Sequence, residues 1–367
     1  MTEVPIFDYA GRVARARAAM ERFGIDVLLA SLGSELPYLT GYQAMPLERL
    51  TMAVIPRDGD ATLVVPELEA PRVERHDEVF EVLAWGETEN PIEIVGNLIG
   101  SRNVAAIGDR TWAVFLLELQ AALPATEFTS ARDLTAALRL IKEPAEIDLL
   151  RRAAEAVDRV AARLATHQFA GKTERRLSRE VIDMTREEGC ETVDFAIVAS
   201  GPNGASPHHE PDERVIGPGD SVVIDFGGTV HGYHSDTTRT FHVGEPTADY
   251  RAVYEVVREA QAAGADAVQP GVEAQAVDAV SRGIITDAGY GDYFIHRLGH
   301  GIGLDGHEDP YLVSGNAQPL EPGMAFSIEP GIYLPGRFGV RIEDIVICTD
   351  EGVDRLNRSP RELVVVG

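Results

Sequence analysis

At 367 residues, 44% hydrophobic and 25% charged, the chain has the make-up of a folded protein with room for two buried cores, not that of a disordered one. A formal charge of -26 argues against nucleic acid or an anionic membrane surface as partner, since both would repel it. No apolar run approaches the ~18 residues of a membrane span, and residues 1–20 lack the apolar core of a secretory signal. Cys190 and Cys348 stand too far apart in sequence to form a disulfide framework or a CxxC metal site. A reducing cytoplasm is the simplest compartment. Lys142 and Lys172 are the only lysines, so nearly all the positive charge is arginine. Most of the acidity is expected to be solvated surface.

In chain order, residues 12–23 carry helical spacing (Val13, Ala16, Met20, Phe23), and VLLA (27–30) has the length and composition of a buried strand. TMAVIP (51–56) and ATLVVP (61–66) flank Arg57-Asp58-Gly59-Asp60, a hairpin pattern. VAAIGD (104–109) precedes a helical stretch to about Leu123. These elements make an α/β domain over residues 1–135, with no cluster of metal-ligand or nucleophilic residues. At RLIKEPAE (139–146) the character changes, and Pro144 suits the first turn of a helix predicted to run to about Phe169.

Residues 136–367 carry an internal repeat. A long helix (144–169), Gly171, a second helix (173–188) and strands are echoed about one hundred residues later. The echo is a helix (247–268), Pro270-Gly271, a helix (273–288) and strands. Two related halves pack together, and a site would lie between them. The fold class is therefore α/β in the broad sense (α+β), with a pseudo-two-fold second domain.

The first half supplies VVIDFGGTVHGYHSDTTRTF (222–241), which reads as a hairpin. With its turn centred near Val230-His231, Asp225 and Asp236 are directly opposed, with Cβ atoms ~5 Å apart. Two carboxylates that close repel, and one would take up a proton unless a divalent cation lay between them. The second half supplies MAFSIEPGIYLPGRFGVRIEDIVI (324–347), whose turn at Pro335-Gly336-Arg337 sets Glu329 opposite Glu343. Arg341 shares a face with Glu343 by strand periodicity, and Asp344 points away. Lone strand acids usually face solvent, but two opposed pairs at matching places in a repeat are hard to explain that way. Between the hairpins lies HRLGHGIGLDGH (296–307), and eight of the ten histidines fall within 208–307. Four carboxylates and one imidazole suit a pair of ions such as Mn, Co, Fe or Zn.

These segments resemble the pita-bread metallopeptidases, the family of prolidase, aminopeptidase P and methionine aminopeptidase. VVIDFG with a second Asp eleven residues on, HRLGHGIGLDGHE, SIEPGIY and GVRIEDIV carry the likeness. ELPYLTGY (35–42) and RLIKEPAEIDLLRRA (139–153) extend it to the Xaa-Pro peptidase subgroup, which has an N-terminal domain. The resemblance implies a metal set of Asp225, Asp236, His300, Glu329 and Glu343, with Asp236 and Glu343 bridging two ions, Mn or Co first, Zn or Fe next. It implies substrate-side roles for His208 (with His209 adjacent), His296, His307 and Arg341, and for Glu329 as proton shuttle. The implied activity is Xaa-Pro dipeptide hydrolysis, with aminopeptidase action on longer peptides or a metal-dependent hydrolysis of a small metabolite as alternatives. By the same resemblance the enzyme is expected to be a homodimer.

Other matches are weaker. Gly171-Lys172-Thr173 lacks the upstream glycine of a P-loop, since Thr166 stands there. His231, His234 and His242 read as turn or surface residues. The glycines of 299–303 are expected where backbone passes close to other groups.

Overall fold

The structure, a computed structural model, describes residues 6–367, and the chain divides into two compact units at Arg139/Leu140. In the first unit α1 (Tyr9–Phe23), α2 (Glu35–Thr40), α3 (Pro91–Ile99), α4 (Ala113–Ala122) and α5 (Arg132–Arg139) surround a six-stranded sheet. Its strands are β1 (Val27–Ala30), β2 (Met52–Pro56), β3 (Thr62–Pro66), β4 (Glu81–Trp85), β5 (Val104–Ile107) and β6 (Glu127–Ser130). They lie in the order β4-β3-β2-β1-β5-β6. Every residue of β1, β2 and β3 is buried, which is why VLLA, MAVIP and TLVVP read as continuous apolar runs rather than alternating ones. The hairpin over Arg57–Asp60 is present, with Met52 paired to Val64.

The second unit repeats one motif twice. Helices α6 (Pro144–Leu164) and α7 (Glu174–Glu187) pack their apolar faces on β7 (Thr192–Ser200), β8 (Ser221–Val230) and β10 (Thr237–Val243), with β9 (Tyr233–His234) extending β8. The helix pair α8 (Ala248–Asp266) and α9 (Ala274–Asp287) has its own core with a second sheet. That sheet contains β11 (Gly299–Gly301), β12 (Glu308–Leu312), β13 (Ala325–Ile328), β16 (Asp344–Thr349) and β17 (Gly352–Arg355). The ribbon β14 (Gly331–Leu334) and β15 (Phe338–Arg341) lies between β13 and β16 in sequence, and β18 (Val364–Val366) pairs with β10.

Pro144 does open α6, where the Glu146 carboxylate accepts the Glu143 N–H at 2.9 Å. The helix stops at Leu164, however, five residues short of the expected Phe169. The N–H groups of Phe169 and Ala170 bond instead to the Gly367 carbonyl, a long-range pairing that no local signal announces. Two junctions position the site. The strands β13/β14 and β15/β16 form one long hairpin interrupted at 329–330 and 342–343, and the N–H of Glu343 reaches across to the Thr238 carbonyl of β10.

Candidate metal centre

The register of the first hairpin differs from expectation. Val230 pairs with Tyr233 around a two-residue turn of His231 (φ 48°) and Gly232 (φ 78°), the left-handed pair a tight hairpin requires. The turn is centred one residue later than the sequence suggested, so Asp225 faces Thr238 rather than Asp236. Because the resulting slip is two residues, Asp236 stays on the same face, diagonal to Asp225. In the second hairpin Ile328 pairs with Asp344 and Gly331 with Arg341, so the register sets Glu329 opposite Glu343 as the turn predicts.

The five residues converge. Ligand atoms of Asp225, Asp236 and Glu343 lie within 4.8 Å of one another, and so do those of His300, Glu329 and Glu343. Glu343 is common to both groups. His300 Nε2 stands 3.3 Å from Glu329 Oε1 and 3.6 Å from Asp236 Oδ2, while its Nδ1 bonds the Gly301 carbonyl at 3.1 Å. That bond assigns the proton to Nδ1 and turns the Nε2 lone pair toward the acids. Glycine is needed here: a Cβ on Gly299 would lie 1.9 Å from the Ser327 carbonyl oxygen.

Charge is concentrated and buried. Burial, then the neighbouring carboxylates, push Asp236 and Glu343 well above the usual carboxylate range. Burial also raises Glu329 to about 7 against the pull of Arg341, and lowers His300 to about 3. Asp225 Oδ1 and Asp236 Oδ1 are buried without a hydrogen-bond partner among the described residues. Oxygens of this kind are costly to bury unless a cation satisfies them, and a four-carboxylate, one-imidazole donor set fits divalent ions.

The remaining expected residues ring a cavity of about 680 Å³ above this cluster, walled on its apolar side by Phe195, Ile197 and Ile295. His208 and His307 are exposed at its edge, and the His307 ring stacks on His300 at 3.7 Å. The adjacent His209 turns away to Glu174. Arg341 bonds Asp225 at 2.6 Å rather than Glu343. Its second arm donates to the Tyr333 hydroxyl at 2.8 Å, which sits 2.9 Å from His296 Nε2. The other nitrogen of His296 bonds the Arg297 carbonyl, and burial holds its pKa near 4, so both nitrogens of the neutral ring are engaged.

Three supporting residues were not singled out from the sequence. Thr238 donates to Glu343 Oε2 at 2.7 Å and accepts from Arg341. Ser327 bonds Glu329 Oε1 at 3.0 Å and accepts the His300 N–H. Tyr333 is the third. Each is two or four residues from a site acid, so period-two alternation along the same strands could have found them. Asp344, set aside on alternation, is fully buried away from the cluster against Arg239 and Gln261.

Two related helix-and-sheet halves around a buried acid–imidazole cluster define a metallohydrolase of pita-bread architecture. The chain belongs to metallopeptidase family M24, whose model matches residues 148–350, and residues 12–141 match the Creatinase/Prolidase N-terminal domain. It is thus a metal-dependent peptidase, and divalent ions are its cofactors. A protein described as probable dipeptidase PepE from Mycobacterium tuberculosis is 44% identical over 98% of this chain and 96% of its own length. An Xaa-Pro dipeptidase from Lactobacillus delbrueckii subsp. lactis is 36% identical over 95% of this chain and 96% of its own. A solved prolidase from Thermococcus sibiricus superposes with a TM-score of 0.93 at 40% identity, covering 99% of this chain and 100% of that one.

Proposed function

We propose that the chain is an Xaa-Pro dipeptidase that holds two divalent ions, manganese or cobalt, with Asp225, Asp236, His300, Glu329 and Glu343. The observation that carries this reading is the pair of three-residue ligand groups sharing Glu343 at the base of the cavity. The names of the relatives supply the substrate class. The donor set is oxygen-rich, which favours manganese among the candidate ions. We place the enzyme in the cytoplasm as a homodimer. Its buried free thiols Cys190 and Cys348, both raised by burial to about 11, suit a reducing compartment.

Bound at this cluster, a metal pair supplies Lewis acidity and lowers the pKa of a water for attack on the peptide carbonyl. The side chains do the rest. Glu329 Oε1, oriented by Ser327, takes the proton of the attacking water and hands it to the leaving nitrogen. In an Xaa-Pro bond that nitrogen carries no hydrogen, so the delivered proton is the one it departs with. His208 donates a hydrogen bond to the carbonyl oxygen as negative charge develops there. His307 clamps the leaving side, beside Arg297 at 3.2 Å. His296, with both nitrogens engaged, holds Tyr333, and Arg341 fixes Asp225 in its ligating orientation.

The test is hydrolysis of Ala-Pro, Ala-Pro-Ala and Ala-Ala by metal-free protein, with and without added Mn or Co. Metal-dependent cleavage of Ala-Pro alone is the expected result. Cleavage of the tripeptide between Ala and Pro would make the enzyme an aminopeptidase, and inertness toward all three despite two bound ions would move its substrate outside peptides.

A further inference from the structure

His208, the residue assigned above to the carbonyl oxygen, makes no hydrogen bond of its own among the described residues. Its place over the cavity is therefore set by the backbone on either side. Upstream, Arg341 donates to the Pro207 carbonyl at 3.4 Å. Downstream, the anchor is Glu174, the first residue of α7, whose side chain is fully buried.

Among the described residues, every hydrogen-bond partner of the Glu174 carboxylate comes from residues 200–212. Oε1 accepts the Ser200 N–H and hydroxyl, each at 2.6 Å, and Asn203 Nδ2 at 3.2 Å. Oε2 accepts Asn203 Nδ2 at 3.1 Å, His209 Nε2 at 2.8 Å and the Asp212 N–H at 3.4 Å. The main chain repeats the tie, with the N–H groups of Glu174 and Arg175 bonding the carbonyls of Arg214 and Asp212. A buried carboxylate is strongly disfavoured unless its lone pairs are satisfied, so the donors of 200–212 are compelled to converge on one point. These bonds tie the 3-10 turn Gly201–Ala205 and the irregular stretch after it to the start of α7.

We propose that Glu174, acting through His209, is a positioning residue for His208: it fixes the backbone one residue beyond and so sets how far the His208 ring reaches over the cavity. This rests on the dipeptidase reading for the role of His208, but not for the placement itself. His209→Ala removes the link, and the space it leaves opens in part to solvent, since the side chain is 16% exposed. Glu174→Gln presents an NH2 group to a ring of donors and breaks the anchor itself.

The experiment is a double-mutant cycle on metal-loaded enzyme with Ala-Pro as substrate. Each single variant is expected to lower kcat/KM by about tenfold or more, as small misplacements of reacting groups do, with both ions still bound. In a His208→Ala background the same changes are expected to have no further effect, because the residue they position is gone. Equal losses in both backgrounds, or no loss in either, would overturn the proposal. A second readout is independent of substrate: amide hydrogen exchange in Glu174→Gln should accelerate over 200–212 and stay unchanged within α7. If the parent enzyme cleaves no peptide yet that segment loosens, the placement holds and the dipeptidase reading fails. If exchange is unaltered, the placement itself fails.

Discussion

Asp236 lies buried among three other carboxylates. Its pKa is pushed up first by burial and then by Glu343, Asp225 and Glu329, against the pull of Arg341. Two opposite consequences follow for substitution there. Asp236→Asn removes one of the five proposed ligands, so metal content should fall and activity drop by more than about a hundredfold, beyond what loss of an outer partner costs. The metal-free variant, however, should be more stable than metal-free parent at high pH. A carboxyl whose folded pKa is raised carries no penalty below its unfolded value near 4, and an increasing one as the pH climbs toward the folded value. Asparagine has no such penalty. Thermal melts of both metal-free proteins at pH 5 and pH 8 check the sign, and a variant destabilised more at pH 8 than at pH 5 would contradict it.

At the scale of single elements, two devices aim the site residues: a broken hairpin and a close strand crossing. The β13–β16 hairpin was legible because Pro335-Gly336-Arg337 allows one turn position, and Gly336 takes φ 72° as such a turn asks. The β8–β10 hairpin was misread by two residues. Its stretch Gly227-Gly228-Thr229-Val230-His231-Gly232 offers several turn sites, and the one used puts a histidine at positive φ, which sequence cannot foresee. The anchoring role of Glu174 was equally invisible, since an acid at a helix start also reads as simple dipole complement. The close crossing at Gly299 gives a direct test. Gly299→Ala forces a Cβ onto the Ser327 carbonyl, beside His300 and Glu329, and should cost about 1–3 kcal/mol of stability. Metal affinity should weaken with it, and a variant of parental melting temperature with parental metal content would show that the strands can part freely.

Helix α7 carries a second, purely structural acid. Burial alone would raise Glu180, but hydrogen bonds from His167, Lys172 and Arg176 overcome it and hold the carboxyl near 2. A depressed pKa means stability that is present above the unfolded value near 4.5 and lost as the pH falls toward 2. Glu180→Gln should therefore melt lower than the parent at pH 7, with the gap closing between about pH 4.5 and 2. A gap that widens on acidification would reverse the assignment.

Across the whole molecule, the repeat explains why the site exists where it does. Each half buries its own core between a helix pair and a sheet, and each contributes acids to one shared cluster: Asp225 and Asp236 from the first, Glu329 and Glu343 from the second. Folding the second unit thus means bringing like charges together in a chain already at -26. Divalent ions relieve that repulsion, so metal binding should be a large stabilising term. At about 100-fold excess over Kd a single ion adds ~2.7 kcal/mol, or about 5–10 °C for a unit of this size. The gain must also depend on pH in a definite direction. Below pH 5 the raised acids Asp236, Glu329 and Glu343 of metal-free protein are protonated and repel little, and an ion must displace those protons to bind. As the pH rises from about 4.5 toward the Glu329 value of about 7, the metal-free form loses stability while the loaded form does not. The melting-temperature gap between loaded and metal-free protein should therefore be small at pH 5 and large at pH 8. Calorimetric titration near pH 6.5, in buffers of different ionisation heat, should show protons released on binding. A gap that stays constant with pH, together with no proton release, would mean that the acids are already ionised without the metal and that other charges hold the two halves together.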